Sequence, residues 1–389
     1  MALATTNFLP FHRALIDEAE INAVLDVLHS GWLTTGPRVK EFEESFARYT
    51  GATHALAVTS CTAALHLALA AVGIQAGDEV VLPTMTFAAS GEVVLYFRAR
   101  PVLVDCLPGS FHMDPDQVER AITSRTRAIL AVHYGGYPCD MDRVLAIAQR
   151  HGLKVIEDAA HALPASYKGR PVGTLGDVTC FSFYATKTLT TGEGGMATTD
   201  NPEYAERMRR LSLHGISKDA WKRYTAEGSW RYDILEAGFK YNFTDLQAAI
   251  GLAQLAKCDS MRASRAAIAS RYNRELNSLE AFETPTAPSD VEHAWHLYVL
   301  LVNPWALRID RDRVIEELKA RGIGSSVHFI PLHLHSLYRN QLGYAAGEFP
   351  NAEERFARAI SLPIFPGMDP ADIDRVIEAL HDIAREYRR

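Results

Sequence analysis

The chain has 389 residues, of which 48 % are hydrophobic and 22 % are charged, with 40 lysines and arginines against 47 aspartates and glutamates. This composition excludes disordered and collagen-like chains and predicts a globular protein with one large domain and a smaller one. The net charge of −7 and the lack of a basic stretch argue against nucleic acid as a partner.

The N-terminal part of the chain predicts two helices joined by a loop. Apolar residues recur at helical spacing at Ile21, Val24, Leu25 and Leu28, and again at Phe42, Phe46 and Tyr49. The segment between them, residues 31–37 (GWLTTGP), is too rich in turn-forming residues for either element. The second apolar stripe is expected to be buried.

From about residue 54, short apolar or β-branched runs alternate with helical stretches. The predicted strands are residues 54–60, 79–83, 101–106, 127–134, 154–159 and 177–183. Such alternation indicates βαβ units and a largely parallel sheet covered on both faces. Asp114-Pro115 and Asp369-Pro370 each predict a helix start, with Asp as the N-cap and Pro at the first helical position.

After about residue 280 the pattern indicates a smaller α/β domain. It contains strand-like residues 296–302 and 325–329, a helical stretch over 314–321, and a final helix whose apolar positions include Ile373 and Leu380. We predict three parts: an N-terminal arm and helix (1–36) packing near the small domain, a large domain (37–275) and a small C-terminal domain (276–389).

Several sequence features bear on the protein's location. The longest apolar stretch, residues 61–74, is shorter than a membrane span and contains Thr62 and His66. Residues 1–20 lack the apolar run of a signal peptide. The five cysteines include no close CxxC pair, which argues against a disulfide framework or a zinc site. We expect a cytoplasmic protein that has no membrane partner and no metal.

Polar residues follow three of the predicted strands, where α/β sheets collect their ligands. Ser60, Cys61 and Thr62 lead from a strand into a helix, whose N-terminus suits a phosphate, although Ser60 is equally favoured as a simple N-cap. Glu157 and Asp158 end another strand and should point to opposite faces of the sheet. A buried Asp158 needs a cationic partner, unless it only caps a helix.

Lys187 lies in a glycine-flanked loop after the predicted strand 177–183. Most lysines are solvated, but burial there would lower the pKa of this one and make its amine nucleophilic. A phosphate cup, a strand-end Asp158, an aromatic Phe87 and Lys187 together suit a pyridoxal phosphate site.

With these residues in place, the sequence resembles the sugar aminotransferases of the DegT/DnrJ/EryC1/StrS family, within the fold-type I pyridoxal-phosphate enzymes, over nearly its whole length. The matching stretches are residues 31–37 (GWLTTGP), 59–69 (TSCTAALHLAL), 78–87 (DEVVLPTMTF), 157–162 (EDAAHA), 181–195 (FSFYATKTLTTGEGG), 238–251 (GFKYNFTDLQAAIG) and 361–366 (SLPIFP). The resemblance implies a three-layer α/β fold, with a large cofactor-binding domain and a smaller C-terminal domain.

The resemblance also assigns roles around pyridoxal 5'-phosphate (PLP). Lys187 matches the lysine that holds the cofactor covalently and later moves a proton during its conversion to pyridoxamine phosphate. Asp158 matches the carboxylate that keeps the ring nitrogen protonated, and Phe87 the aromatic that stacks on the ring. His161, where many relatives have Gln, is expected on the other face or at the hydroxyl of the ring.

The resemblance further implies a phosphate cup made by Ser182 with the amides of Cys61 and Thr62. Many relatives have Gly where this chain has Cys61. Lys240 or Asn242 matches the donor that reaches the phosphate from a neighbouring subunit, so a homodimer with shared active sites is expected.

The residues after Lys187 bear on the reaction. Residues 190–195 (TTGEGG) resemble family members that aminate C4, the 4-amino-4-deoxy-arabinose type among them. The resemblance implies transfer of an amino group from glutamate, which leaves as 2-oxoglutarate, to a UDP- or dTDP-linked 4-keto sugar. The carrier, GDP included, stays open, as does the choice of pentose or 6-deoxyhexose. Substrate contacts are expected from Thr35, Trp221, Lys240 and His328.

Other functions stay open at this stage. A C3 keto-sugar aminotransferase and a fold-type I enzyme acting on an amino acid share the cofactor site. The latter needs an arginine clamp for a carboxylate, for which the C-terminal domain offers Arg308, Arg311, Arg313 and Arg321. Lys187 argues against the deoxysugar dehydratases of the family, which have His there. A cofactor-binding regulator would need a DNA-reading module, and none is visible in the sequence.

Overall fold

The computed structural model describes residues 8–217, 232–286 and 290–389. The helices are α1 (Glu18–Ser30), α2 (Pro37–Thr50), α3 (Cys61–Ala71), α4 (Ala88–Leu95), α5 (Pro115–Arg120), α6 (Met141–His151), α7 (Pro202–Leu211), α8 (Asp245–Ala256), α9 (Cys258–Leu276), α10 (Arg311–Ala320), α11 (Ser336–Leu342), α12 (Pro350–Arg358) and α13 (Pro370–Glu386). The strands are β1 (His54–Val58), β2 (Glu79–Pro83), β3 (Arg100–Val104), β4 (Thr126–Val132), β5 (Lys154–Asp158), β6 (Ser166–Tyr167), β7 (Arg170–Pro171), β8 (Val178–Ser182), β9 (Gly195–Thr199), β10 (Phe282–Glu283), β11 (Val291–Glu292), β12 (Tyr298–Val302) and β13 (Ala359–Leu362).

In the described residues, seven strands form one large sheet in the order β1-β9-β8-β5-β4-β2-β3. The pairs β8-β5, β5-β4, β4-β2 and β2-β3 are parallel, whereas β9 runs antiparallel to both β1 and β8. All six strands predicted for this part of the chain are present. The α/β fold with a mostly parallel sheet in its large part is therefore confirmed.

The antiparallel strand β9 was not predicted. Its sequence, GMATT, has few strong β-formers and follows a glycine-rich loop, so sequence patterning gives only a weak signal for it. Its pairing with β1 and β8, far away in sequence, defines the strand. The gap between β1 and β8 is thereby filled, and Gly195 lies at the same sheet edge as the ends of both strands.

The two faces of the sheet are covered by apolar helices, as continuous β strands require. Helix α3 is apolar on nearly every side and buries all its residues except Thr62. On the other face, Phe42 and Phe46 of α2 are fully buried against Phe181 and Phe183. The expected buried stripe of α2 is thus confirmed at Phe42 and Phe46, whereas Tyr49 is only half-buried.

Helix α1 packs differently from what its apolar spacing suggests. Ile21, Leu25 and Leu28 are 42–49 % exposed, whereas Glu20 is buried. The Glu20 carboxylate accepts from the amide of Gln254 on α8 and contacts the Lys257 ammonium at 2.6 Å. Polar contacts to α8, in the large part of the chain, therefore orient this helix.

The C-terminal part has a three-stranded sheet in the order β10-β12-β13. The predicted strand over 325–329 is wrong: only Ser326 forms a bridge, to Ser361, and the segment then turns at a cis His328-Phe329 peptide. The third strand, β13, contains the start of the SLPIFP stretch instead. Asp369 caps α13, as its Asp-Pro sequence predicts.

The N-terminal arm lies against this C-terminal part. The amide of Leu9 donates to the carbonyl of Gly322, and the amide of Gly324 donates back to the carbonyl of Leu9, both at 2.8 Å. Of the predicted segment 1–36, the arm thus contacts the small domain, whereas α1 contacts α8. The division at residues 36 and 275 stays a prediction. Within the described ranges, no helix is both long and apolar enough to cross a membrane.

Candidate active site

The candidate site lies where the ends of β1, β5 and β8 meet the N-terminus of α3. Asp158 is the last residue of β5 and Ser182 the last of β8, and Asp158 pairs with Cys180 across the parallel ladder. Lys187 follows in the loop after β8. The sheet order thus brings three of the predicted site residues, Asp158, Ser182 and Lys187, to one edge.

The carboxylate of Asp158 is buried, at 6 % exposure. Its Oδ2 accepts from the Ser90 hydroxyl at 2.7 Å, and its Oδ1 accepts from the Ala160 amide at 3.1 Å. In the described part of the chain, no cationic side chain forms an ion pair with it, but the Lys187 ammonium lies near enough for the two charges to interact. A buried carboxylate with donors but no counter-charge fits the protonated nitrogen of a ligand ring.

Glu157 and Asp158 point to opposite faces of the sheet, as their alternation predicts. The Glu157 carboxylate accepts from the Thr179 hydroxyl at 2.6 Å and the Gly176 amide at 2.7 Å, and it lies 2.8 Å from His133 Nε2. Burial raises the pKa of this carboxyl, but the His133, Thr179 and Gly176 contacts outweigh it and leave the pKa below its usual value. Glu157 therefore has its partners within the fold, whereas Asp158 faces the site.

Lys187 is partly buried in its loop. Burial lowers the pKa of its ammonium to about 8, although nearby Cys61 and Asp158 act in the opposite direction. At a pH near 8, about half of this lysine is a free amine, the form that forms covalent bonds with aldehydes.

The start of α3, where a phosphate cup is predicted, has backbone amides that could bind an anion. Ser60 is the N-cap, and its hydroxyl accepts from the Ala63 amide, so the first-turn amides of Cys61 and Thr62 are free of bonds within the helix. The positive end of the helix dipole adds to their attraction for an anion. Ser182 is half-buried nearby at the end of β8.

Gly195 holds the cup against β9. A Cβ at this position would lie 2.4 Å from the Ser60 carbonyl carbon and 2.6 Å from the Cys61 nitrogen. Those atoms belong to the backbone, so they cannot move aside as easily as the end of a flexible side chain. The last glycine of the TTGEGG stretch therefore allows β9 to run directly beneath the turn where a phosphate is expected.

Cys61 is the departure from the family pattern, and its thiol is buried beside Asp158. Its Sγ lies 4.0 Å from Asp158 Oδ1 and donates to the Cys180 carbonyl at 3.5 Å. Burial, followed by the Asp158 charge, raises the pKa of this thiol well above its usual value. Cys61 therefore stays a neutral thiol and leaves its backbone amide available.

Phe87 and His161 were predicted on the two faces of the ring. Phe87 is the N-cap of α4, and its side chain is 59 % exposed. Both side chains contact Phe329, with ring centroids 5.5 Å from Phe87 and 5.7 Å from His161. His161 Nδ1 accepts from the Gly135 amide, which leaves Nε2 to carry the ring proton.

Four imidazoles lie close enough to Lys187 for its charge to affect them. Burial, followed by the Arg265 charge, lowers the pKa of His12 to about 4. Burial also lowers the pKa of His328 to about 4 and those of His161 and His296 well below the usual value, and the Lys187 charge adds to each shift. All four are neutral at physiological pH. His12 and His296 were missed because only the fold brings them to this loop.

Thr35 and Asn242 are joined to each other rather than to Lys187. Asn242 Nδ2 donates to Thr35 Oγ1 at 2.8 Å, and that hydroxyl donates to the Phe243 carbonyl. Both residues line a groove of about 640 Å³ between β1 and α2, whose lining includes none of the catalytic candidates. Lys240 is exposed. Trp221 lies outside the described residues.

The four arginines considered as a carboxylate clamp are held by groups of the C-terminal part. Arg313 and Arg321 contact Glu317, Arg311 contacts Asp312, and Arg308 donates to the Glu386 carbonyl. The arginine whose charge acts on the site is Arg265 of α9, which is fully buried and donates to the carbonyls of Trp295, His296 and Ile364. Its position on a mostly polar helix gave no sequence signal.

Comparison with known proteins shows the family. The model of the DegT/DnrJ/EryC1/StrS aminotransferase family matches residues 14–381. The uncharacterized protein MJ1066 of Methanocaldococcus jannaschii is 54 % identical over 382 residues, covering 98 % of this chain and 99 % of the relative. The spore coat polysaccharide biosynthesis protein SpsC of Bacillus subtilis is 49 % identical over 386 residues, with 99 % of both chains covered.

Solved structures match over the same length. The PLP form of the putative sugar aminotransferase Spr1654 from Streptococcus pneumoniae has a TM-score of 0.91 at 36 % identity, covering 97 % of this chain and 99 % of that one, and its PMP form has a TM-score of 0.92 with the same identity and coverage. DesI, solved in the presence of its TDP-sugar product, has a TM-score of 0.87 at 33 % identity, covering 99 % of this chain and 94 % of that one.

The lowered pKa of Lys187 predicts how the apoprotein takes up PLP. The rate of covalent uptake should rise with pH and level off above about 8, since the amine is then neutral, instead of rising toward 10.5 as for a solvated lysine. Stopped-flow absorbance measures this rate, with Lys187→Ala as the control that gives no covalent absorbance. A rate that still rises steeply between pH 9 and 10.5 would contradict the burial argument.

The packing of Gly195 predicts that Gly195→Ala weakens PLP binding by on the order of 10-fold or more, because the new Cβ displaces the Ser60–Cys61 peptide. Equilibrium titration of the apoprotein with PLP measures the effect. Gly343→Ala is the control: it strains a left-handed glycine with no atom near its Cβ and should leave PLP affinity unchanged. Wild-type affinity in Gly195→Ala is the contrary outcome.

Proposed function

The chain belongs to the DegT/DnrJ/EryC1/StrS aminotransferase family and is a PLP-dependent transaminase of the sugar aminotransferase class. From this premise we propose that it moves the amino group of glutamate to C4 of a UDP- or dTDP-linked 4-keto sugar. The observation that carries the proposal is the pairing of a partly buried amine at Lys187 with a buried, uncompensated carboxylate at Asp158. Both lie beside the N-terminus of α3.

These residues have separate tasks when the cofactor is bound. PLP supplies an electron-accepting ring that stabilises negative charge on the carbon losing its proton. Asp158 would accept a hydrogen bond from the protonated ring nitrogen, and the amides of Cys61 and Thr62 with the Ser182 hydroxyl would bind the phosphate. The neutral amine of Lys187 accepts and returns the proton that moves, a role worth roughly 10²–10⁴-fold in rate.

The proposal of a C4 acceptor is supported by the loop after Lys187. Thr190 and Thr191 fold this loop back onto the Phe183 carbonyl, and the Thr191 hydroxyl donates to the Glu193 carbonyl at 2.7 Å. Gly194 lies against that hydroxyl, where a Cβ would approach to 2.5 Å. The TTGEGG sequence thus determines the shape of the loop that carries Lys187, and in the family the resemblance links this sequence mainly to enzymes that aminate C4.

The nucleotide carrier of the acceptor is supported by a relative. DesI, which shares the fold over nearly all of this chain, was solved with a TDP-sugar product. A nucleotide carries phosphates that need cationic or amide donors, and exposed Lys240 is one such donor near β1. Glutamate as the donor is proposed from the resemblance to the family.

We also propose a homodimer in which Lys240 of one subunit reaches the phosphate of the cofactor bound in the partner's site. Asn242 is engaged with Thr35 of its own chain, whereas the Lys240 side chain extends into solvent from the segment that pairs with Leu213. Of the two candidates, Lys240 and Asn242, only the Lys240 side chain forms no hydrogen bond or ion pair with the described residues of its own chain. Lys240 is therefore the better candidate for a phosphate donor to the partner subunit.

The proposed reaction has a direct spectroscopic test. Glutamate should bleach the yellow absorbance of the PLP-loaded protein and release 2-oxoglutarate, and the resulting form should aminate UDP- or dTDP-4-keto sugars, with the new amine at C4 by NMR. A matched 3-keto sugar nucleotide is the control. Amination of that control in preference to the 4-keto compounds would refute the C4 assignment, and no bleaching would refute glutamate as the donor.

The dimer proposal predicts complementation between two defective variants. Lys187→Ala and Lys240→Ala should each be impaired, but a mixed dimer has one site with both native residues if Lys240 acts in trans. Random pairing should then restore activity in about one quarter of all sites. Activity is assayed after mixing and re-equilibration, with each variant alone as the control. No recovery despite mixed dimers, detected by mass spectrometry, would place Lys240 in its own site.

A further inference from the structure

A chain of two buried hydroxyls ends at the carboxylate of Asp158. Ser90 is fully buried on α4, and its Oγ lies 2.7 Å from Asp158 Oδ2. Thr86, at 2 % exposure, has its Oγ1 2.7 Å from Ser90 Oγ. A carboxylate only accepts hydrogen bonds, so Ser90 donates to Asp158, and Thr86 donates to Ser90.

We infer that Ser90, supported by Thr86, is a positioning residue that keeps Asp158 ionised, so that the proton between Asp158 and the ring nitrogen of the cofactor stays on the nitrogen. This inference rests on the placement of the ring nitrogen at Asp158 in the proposed function. A hydrogen bond to the charged form of a carboxyl favours that form. In a buried site, that preference decides which of the two partners holds the shared proton.

The position of Ser90 in the fold gives it a second consequence. Helix α4 begins at its N-cap Phe87, so the residue expected to stack on the ring and the donor to Asp158 are three residues apart on one element. The same short helix therefore determines both the plane of the ring and the orientation of the carboxylate that meets its nitrogen. Ala160 holds the other oxygen, Oδ1, through its amide.

Other groups near Asp158 do not substitute for this hydroxyl. The thiol of Cys61 lies 4.0 Å from Oδ1, on the other oxygen, and is a weak donor. Removal of the Ser90 hydroxyl leaves Oδ2 without a partner from the described residues. Without that donor, the proton shared with Asp158 is held less firmly by the ring nitrogen.

The test uses variants that remove one hydroxyl at a time in the PLP-loaded protein. Ser90→Ala deletes the donor to Asp158, and Thr86→Val, close to isosteric, deletes only the hydroxyl that supports it. Ser90→Cys restores a weak donor at the same place. Thr198→Val is the matched control, since its hydroxyl is equally buried but donates to the Gly173 carbonyl, in the turn after β7.

Two readouts besides activity are decisive: the PLP affinity of the apoprotein, and the pH midpoint of the visible absorbance change of the bound cofactor. Ser90→Ala should bind PLP on the order of 10-fold more weakly, the scale of a hydrogen bond to a charged group. The pH midpoint of the absorbance change should rise by roughly half a unit. A less positive ring lets the nitrogen that joins Lys187 to the cofactor hold its proton more tightly. Thr86→Val should move both in the same direction by less, Ser90→Cys should recover part of the loss, and Thr198→Val should change neither.

The contrary outcomes are specific. A folded Ser90→Ala protein with the wild-type midpoint overturns the inference. If Ser90→Ala fails to fold, Thr86→Val decides, and an unchanged midpoint there overturns it as well. Asp158→Asn distinguishes failure of the proposed function from failure of this inference. If Asp158→Asn also leaves the midpoint unchanged, the placement of the ring nitrogen at Asp158 is wrong. A shift in Asp158→Asn without one in Ser90→Ala refutes only the role of Ser90.

Discussion

The carboxylate of Asp158 is buried at the end of β5, held by a hydroxyl and an amide, and it forms no ion pair within the described chain, although the Lys187 charge lies near it. A buried charge without a counter-charge costs several kcal/mol. In the site we propose, a protonated ring nitrogen would remove that cost, and the same contact would keep the bound ring electron-poor. Cofactor binding and catalysis therefore depend on one electrostatic requirement of the fold.

The sheet places the other groups around this carboxylate. Parallel pairing of β5 and β8 sets Asp158 beside Cys180, and the loop after β8 returns Lys187 to the same edge. Antiparallel β9 begins at Gly195, directly beneath the turn that starts α3. Burial then lowers the pKa of Lys187, so the lysine that the topology delivers is also the one made nucleophilic.

The sequence predicts the parts of this arrangement that depend on local pattern. The six strands of the large sheet follow from apolar alternation, and the opposite directions of Glu157 and Asp158 follow from the period of two in a strand. The N-terminus of α3 follows from Ser60 before an apolar run. These features require only neighbours within a few residues, and the resemblance to a family then assigned their roles.

The remaining features depend on contacts between distant segments. Strand β9 is defined by its partners, α1 is oriented by Glu20 against Gln254, and His12 and His296 reach Lys187 only in the folded chain. Ser90 was visible three residues after Phe87, yet nothing in its spacing indicates a bond to Asp158, 68 positions away. Periodicity carries no information about such pairings.

The central claim is that the cofactor is joined to Lys187. Reduction of the PLP-loaded protein with borohydride, followed by digestion and mass spectrometry, locates the bond directly. The account predicts that the mass of the reduced cofactor is found on the peptide containing Lys187 and on no other. Its appearance on a different lysine, or its absence from every peptide of a yellow, active preparation, would contradict the account.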